Sequence, residues 1–255
     1  MAAATVTILL LFYLLMLVAM YLNQRKLLFA GRWREPAVLA DARSVTLPNG
    51  AVTLRGYEVN PDHDDAVIYF CGNREHAADH IGRFRDAVPH ATSYAFDYRG
   101  YGHSDGTPTE ADLFSDALRI YDWVAAAHAR VFLVGRSLGS GIAIYVAAQR
   151  PVPKLLLVTP YDSIARVAAA HYPLLPVRFL LKDRFESWRY APAVNAETLI
   201  IKAGVDRVVP HHRTDVLLRA FQATVPCHRV LANTQHNDIV ETPEFSATLR
   251  DFFCL

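Results

Sequence analysis

The stretch Gly135-Arg136-Ser137-Leu138-Gly139-Ser140-Gly141 directly follows the apolar run Val131 to Val134 and directly precedes the helix-like run Ile142 to Gln149. A serine flanked by glycines at GxSxG spacing, set between a strand and a helix, is the pattern of a nucleophile elbow. The sharp turn brings backbones too close for a Cβ on either side of the serine, and Gly135 and Gly139 provide the room. Leu138 then opens the helix, where its backbone N–H and the helix dipole would face a developing oxyanion. With nine serines and 12 glycines in 255 residues, the pattern is expected by chance about 0.02 times, before its strand–helix context is required. The competing reading is a structural Gly-Ser turn.

A serine hydroxyl needs an adjacent base, and the base needs a group to orient it. Of 11 histidines, His236 is the best placed, in the polar turn Asn233-Thr234-Gln235-His236-Asn237-Asp238 between the last strand-like run and the helix-like Pro243 to Phe253. Behind a nucleophile elbow the acid follows the serine and the histidine comes last. His211 and His212 follow Asp206 too closely for that order and read as loop histidines. Asp206 follows Thr198 to Ala203 through Gly204-Val205, which puts a carboxylate just beyond a buried strand. There it would fix the His236 tautomer and stabilise the imidazolium. A loop aspartate is also a common turn former. Asp238 is the alternative acid, although from two residues away it reaches the His236 ring only if the loop bends back. A second oxyanion donor belongs to the loop after an earlier strand. Phe70-Cys71-Gly72-Asn73 ends one such run, so the backbone N–H of Asn73 is the candidate, against an ordinary Gly-Asn turn.

The elements that must position these residues are those of an α/β sheet. Ser44 to Leu47 and Val52 to Val59 flank Pro48-Asn49-Gly50, and an Asn-Gly pair between apolar runs favours a hairpin because both positions tolerate positive φ. Short β-branched and aromatic runs follow at Ala66 to Cys71, Thr92 to Phe96, Val131 to Val134, Leu155 to Thr159, Thr198 to Ala203 and Arg229 to Leu231. Such runs suit buried, mostly parallel strands. Between them the clearest amphipathic helix is Glu110 to Ala127, with Leu113, Ala117, Ile120, Tyr121 and Val124 at helical spacing and Thr109 as N-cap. The predicted fold class is α/β: an open, mostly parallel sheet with helices on both faces and its ligand site at the strand carboxyl ends.

Composition narrows the function. The chain is 52% hydrophobic and carries 26 basic against 25 acidic residues, so nothing attracts a polyanion and nucleic acid is not expected as a partner. Cys71, Cys227 and Cys254 form neither a disulfide framework nor a metal spacing. No metal or organic cofactor is called for, because Ser, His and Asp complete an acyl-transfer site. Ala2 to Leu22 gives 21 consecutive residues without a charged side chain. As a helix they extend about 31 Å, enough to cross a bilayer core. A cleaved signal sequence is the rival, but the start carries no Lys or Arg and Val18-Ala19-Met20 is a poor cleavage site. Arg25, Lys26, Arg32 and Arg34 follow at once. The positive-inside rule places that flank, and the domain beyond it, in the cytoplasm, with Tyr21 and Trp33 as interfacial anchors. The expected organisation is an anchor at 1–24, a juxtamembrane linker at 25–41 and a catalytic domain at 42–255.

Together with Asp97-Tyr98-Arg99-Gly100-Tyr101-Gly102-His103-Ser104, these motifs resemble a membrane-anchored α/β-hydrolase of the ABHD type, the serine-aminopeptidase-like branch. The resemblance also takes in Gln24-Arg25-Lys26-Leu27-Leu28-Phe29, Gly72-Asn73, Asp206-x-Val-Val-Pro and His236-Asn237-Asp238. It implies the α/β-hydrolase fold, a triad of Ser137, Asp206 and His236, and an oxyanion hole from the backbone N–H groups of Asn73 and Leu138. Cys71 departs from relatives that carry His or Gly there, and reads either as a reactive thiol beside the oxyanion loop or as a buried structural cysteine. The segment 161–192 sits where this fold carries its cap, and His171-Tyr172-Pro173-Leu174-Leu175-Pro176-Val177-Arg178-Phe179-Leu180-Leu181 is apolar and proline-punctuated. It reads as a lid for an acyl chain or as packing on the sheet. The expected activity is hydrolysis of carboxylic esters or thioesters, of lipid-like acyl substrates first. Peptide hydrolysis and a non-catalytic binding scaffold are the alternatives.

Overall fold

The computed structural model describes residues 2–33 and 42–254. The sequence expectations at Arg34 and at 36–41, and those for the side chains of Arg32 and Trp33, lie outside the described residues.

Helix α1 (Ala2–Leu28) comes first, and the chain then enters the hairpin β1 (Arg43–Asn49) and β2 (Val52–Val59), paired antiparallel around Asn49 and Gly50 as the turn signal predicts. There follow β3 (Asp65–Phe70), α2 (Ala77–Ala87), β4 (Thr92–Phe96), α3 (Glu110–Ala125), β5 (Arg130–Arg136), α4 (Leu138–Ala147) and β6 (Lys154–Val158). Three short helices, α5 (Ile164–His171), α6 (Val177–Leu180) and α7 (Ser187–Tyr190), occupy the expected cap region. The chain closes with β7 (Glu197–Val205), α8 (His211–Leu218), β8 (Cys227–Gln235) and α9 (Pro243–Phe252).

The eight strands among the described residues form one sheet in the order β1-β2-β4-β3-β5-β6-β7-β8. Pairing is antiparallel on both sides of β2 and parallel from β4 to β8. Strand order reverses at β3, because α2 carries the chain from β3 to one side and α3 returns it to the other. Right-handed crossovers going in opposite directions put their helices on opposite faces. Accordingly α2 packs with α9, and α3 with α4. The strands nearest the middle are apolar throughout: all of β4 is buried, as are Leu155 to Val158 of β6. Edge strand β1 alternates buried and exposed positions instead. Helix α3 buries Leu113, Ala117, Ile120, Tyr121 and Val124, and Thr109 Oγ1 accepts from the Asp112 N–H at 3.1 Å, the predicted cap.

One expectation needs correcting. His211 and His212 are not loop residues: they open α8 directly after Pro210. The His211 imidazole Nε2 is 2.8 Å from the Ala203 carbonyl, which ties that helix back to the end of β7.

Candidate active site

The exits of β3 and β5 lie side by side at the point where strand order reverses, Phe70 being in register with Gly135. Such a switch point opens a crevice at the carboxyl ends of the strands. Between β5 and α4 the chain turns at Ser137, whose φ of 47° and ψ of −114° lie outside the regions comfortable for a residue with a side chain. The turn is held from both sides: the Ser137 N–H donates to the Val158 carbonyl at 2.9 Å, and its carbonyl accepts from Ser140 Oγ at 2.6 Å. A Cβ on Gly135 would lie 2.6 Å from the Gly139 carbonyl oxygen, and one on Gly139 would strike the Phe70 carbonyl. The two glycines therefore let the elbow pack directly on the exit of β3.

His236 follows β8, is 5% exposed, and points Nε2 at Ser137 Oγ across 2.9 Å. Its Nδ1 lies 2.9 and 3.1 Å from the two carboxylate oxygens of Asp206, in the loop after β7. Asp206 Oδ1 also accepts from the N–H groups of Val208 and Val209, each at 2.8 Å. Burial pushes the Asp206 carboxyl up, but the His236 hydrogen bond and charge and the two amides outweigh it and hold the group below the usual carboxylate range. The structure thus brings Ser137, His236 and Asp206 into one line. Asp238 does not join it, since Oδ1 accepts from the Gln235 N–H and closes the turn that carries His236. A hydroxyl within reach of an imidazole whose far side faces a carboxylate can lose its proton as it attacks an electrophile.

Leu138 is the first residue of α4, so its N–H is one of the donors an α-helix leaves without an intrahelical partner. Asn73 lies in the loop after β3, and its side chain is fixed at both ends: Nδ2 donates to the Leu28 carbonyl, and Oδ1 accepts from the Tyr101 hydroxyl at 2.8 Å. Cys71 is free and buried, and burial pushes its thiol well up from the ordinary range. Its carbonyl accepts from the Tyr98 hydroxyl at 2.6 Å. Of the two readings open in the sequence, the structural one fits.

A buried network below the site has no counterpart in the sequence reading. The Glu75 carboxylate accepts from the Gly72 N–H and the Tyr69 hydroxyl, and pairs with the Arg136 guanidinium. Arg136 in turn donates to the His236 carbonyl at 2.8 Å. One ion pair thereby links the loop of Asn73, the elbow and the loop of His236. Arg136 stands inside the GxSxG motif and Glu75 two residues past Asn73, yet their pairing is set by β3 and β5 lying side by side, which neither segment encodes alone.

Comparison with known proteins bears on the fold. The model of the alpha/beta hydrolase fold family matches residues 69–226. An uncharacterised protein of Mycobacterium tuberculosis is 39% identical over 147 residues, covering 56% of this chain and 52% of that protein. Lysophosphatidylserine lipase ABHD12 of Xenopus tropicalis is 30% identical over 188 residues, 62% of this chain and 48% of its own length. Protein ABHD12B of Homo sapiens is 30% identical over 223 residues, 75% of this chain and 61% of its own. The chain therefore spans about half the length of the curated relatives it matches. Among solved structures, Est1E from Butyrivibrio proteoclasticus has a TM-score of 0.68 at 14% identity, covering 83% of this chain and 97% of that one. Alpha/beta hydrolase domain-containing protein 10 from mouse has a TM-score of 0.66 at 19% identity, covering 82% and 96%. At these identities the structural likeness is one of fold, and it agrees with the family match, which takes in the end of β3 and all of β4 to β7: the chain belongs to the alpha/beta hydrolase fold family.

Proposed function

We propose that this protein is a membrane-anchored serine hydrolase that cleaves carboxylic esters or thioesters of lipid-like acyl substrates. The observation that carries the reading is the hydrogen-bonded line from Ser137 Oγ through the His236 ring to Asp206, 2.9 Å at each step. His236 Nε2 takes the Ser137 proton as Oγ attacks the substrate carbonyl carbon. The backbone N–H groups of Leu138 and Asn73 receive the oxyanion. Collapse expels the alcohol or thiol, which leaves with the proton from His236, and the acyl group stays on Oγ. Water, deprotonated by the same nitrogen, then releases the acid and restores the serine. Asp206 remains a carboxylate throughout and holds the His236 Nδ1 proton.

Two further observations support the lipid part of the reading. Helix α1 is long and apolar enough to cross a bilayer, and most of the side chains along it are exposed. It would span the membrane with Arg25 and Lys26 on the cytoplasmic side. The division is then an anchor at 1–24, with its helix running on to Leu28, a linker at 25–41 and a catalytic domain at 42–255 with its cap near 161–192. The 30% identity to a lysophosphatidylserine lipase makes lysophospholipid esters the first substrates to try. A peptidase role has less support, because Asp162 and Asp183 within the cap region are already paired with Arg166, Arg213 and Arg25.

The test is labelling of the full-length protein in membranes with a fluorophosphonate probe, beside a folded Ser137→Ala variant. Labelling of the wild type alone is expected, with hydrolysis falling by about 10⁶ in the variant. A folded wild type that takes no label would point to the binding scaffold instead.

A further inference from the structure

Gln24-Arg25-Lys26-Leu27-Leu28-Phe29 does not trail loosely from the membrane helix. Gln24 is buried, its Nε2 donating to the Leu180 carbonyl at 3.2 Å and its Oε1 accepting from the Lys182 N–H at 2.7 Å. Arg25 pairs with the buried Asp183 at 2.8 Å, and Phe29 is fully buried against Phe185. The contact runs far back along α1, since the Tyr13 hydroxyl donates to the Leu174 carbonyl at 2.7 Å. Tyr13, Leu17, Met20, Gln24 and Leu27 recur at alternating spacings of four and three, which puts them on one helix face. That face meets the cap.

Depth follows from this contact. Tyr13 precedes Arg25 by 12 residues, roughly 18 Å of helix, against a hydrocarbon layer about 30 Å thick. If α1 spans the bilayer, the cap tip at Leu174 lies within the hydrocarbon. The cap offers apolar surface for such a position, with Tyr172, Leu174 and Phe179 57%, 86% and 90% exposed. The exposed Arg178 lies five residues before Asp183, the partner of Arg25, so that its long side chain can carry its charge to the interface. The cap backbone is also largely satisfied from within, as lipid demands. The N–H groups of Tyr172, Leu175, Val177, Phe179, Leu180 and Leu181 donate to carbonyls of the cap itself, and positions 173 and 176 are prolines. Between the cap and α1 runs an apolar groove of about 410 Å³, lined by Leu17, Met20, Ile164, Ala168 and Leu181 and reaching Arg74, the residue after Asn73.

We propose that the cap segment 172–181 is embedded in the bilayer beside α1, and that the groove between them admits the acyl chain of a bilayer lipid to the oxyanion loop. The route rests on the hydrolase reading above, whereas the embedding rests on α1 spanning the membrane. The anchor is then one wall of the substrate path as well as a tether.

The experiment uses the full-length protein in phosphatidylcholine vesicles. A spin label at Leu174→Cys, with Cys227→Ser and Cys254→Ser, should collide more often with dissolved oxygen than with a water-soluble nickel chelate. The opposite order would overturn the embedding. In parallel, Leu174→Asp with Phe179→Asp should lower hydrolysis of oleoyl lysophosphatidylserine in the vesicle by about tenfold or more, and leave p-nitrophenyl acetate within about twofold. Equal turnover of the vesicle lipid by variant and wild type would overturn the route. A wild type that cleaves neither ester would sink the hydrolase reading, and the spin label would still decide the embedding.

Discussion

The elbow at Ser137 and the cap tip at Leu174 are both short turns, and they are built by opposite rules. Ser137 is fixed by neighbours from β6, from α4 and from the loop after β8, and the residues on either side of it, Arg136 and Leu138, are buried. Leu174 belongs to a segment that bonds mainly to itself and to Tyr13 and Gln24 of α1, with its side chain turned outward. Chemistry needs atoms held to within about half an ångström, and only a crowded, polar, buried setting does that. Contact with lipid needs the reverse: a backbone that asks nothing of its surroundings and side chains that offer only apolar surface.

The contrast can be broken hardest at the site itself. Asp206→Asn should lower kcat by about 10⁴ while the protein stays folded, because the wrong His236 tautomer is then favoured. An unchanged steady-state rate would move the acid role elsewhere. The same substitution has a smaller effect on stability. The Asp206 carboxyl is held below its ordinary value in the folded chain, so its stabilisation is present above about pH 4 and is lost as the pH falls through the folded value. The melting-temperature gap between wild type and Asp206→Asn should therefore narrow on acidification.

Arg136→Met tests whether the buried network holds the site together. It leaves the Glu75 carboxylate buried without its guanidinium partner, although Tyr69, Gly72 and His80 still face it, and should cost about 3 kcal/mol in urea unfolding. Adding Glu75→Gln should recover much of that loss, and the absence of any recovery would deny the coupling. Tyr101→Phe removes the hydroxyl that the Asn73 side chain accepts. One hydrogen bond of about 1 kcal/mol predicts a kcat about fivefold lower with KM almost unchanged. The mildest test compares exposure: Ellman's reagent should titrate Cys227 and Cys254 in the native protein and reach Cys71 only after denaturation.

How far each region was legible in the sequence follows from the same contrast. Ser137, Asp206 and His236 are legible as candidates because each follows a strand-like run and the elbow imposes glycines at fixed spacing. The parallel strands were legible too, since burial on both faces makes them continuous apolar runs. What stayed hidden depends on partners distant in the chain. Helix α2 begins at Ala77 with no local side-chain cap, and the Asp97 carboxylate caps its first N–H from the end of β4. Helix α8 is hard to see in the sequence because His211-His212-Arg213 is polar, and the signal for it is Pro210 directly before its first residue. The seam on α1 was invisible because a helix that is apolar all round shows no stripe. Only the cap, folded against it, picks out one face.

The backbone at Ser137 also says something about inheritance. A φ of 47° is strained for serine, and positions of this kind cost of order 1–3 kcal/mol that glycine would not incur. A random walk through sequences filtered for folding alone would drift toward glycine here and leave a sturdier, inert descendant. On the proposed function, that strain is the cost in stability of setting a nucleophile at the tip of the turn.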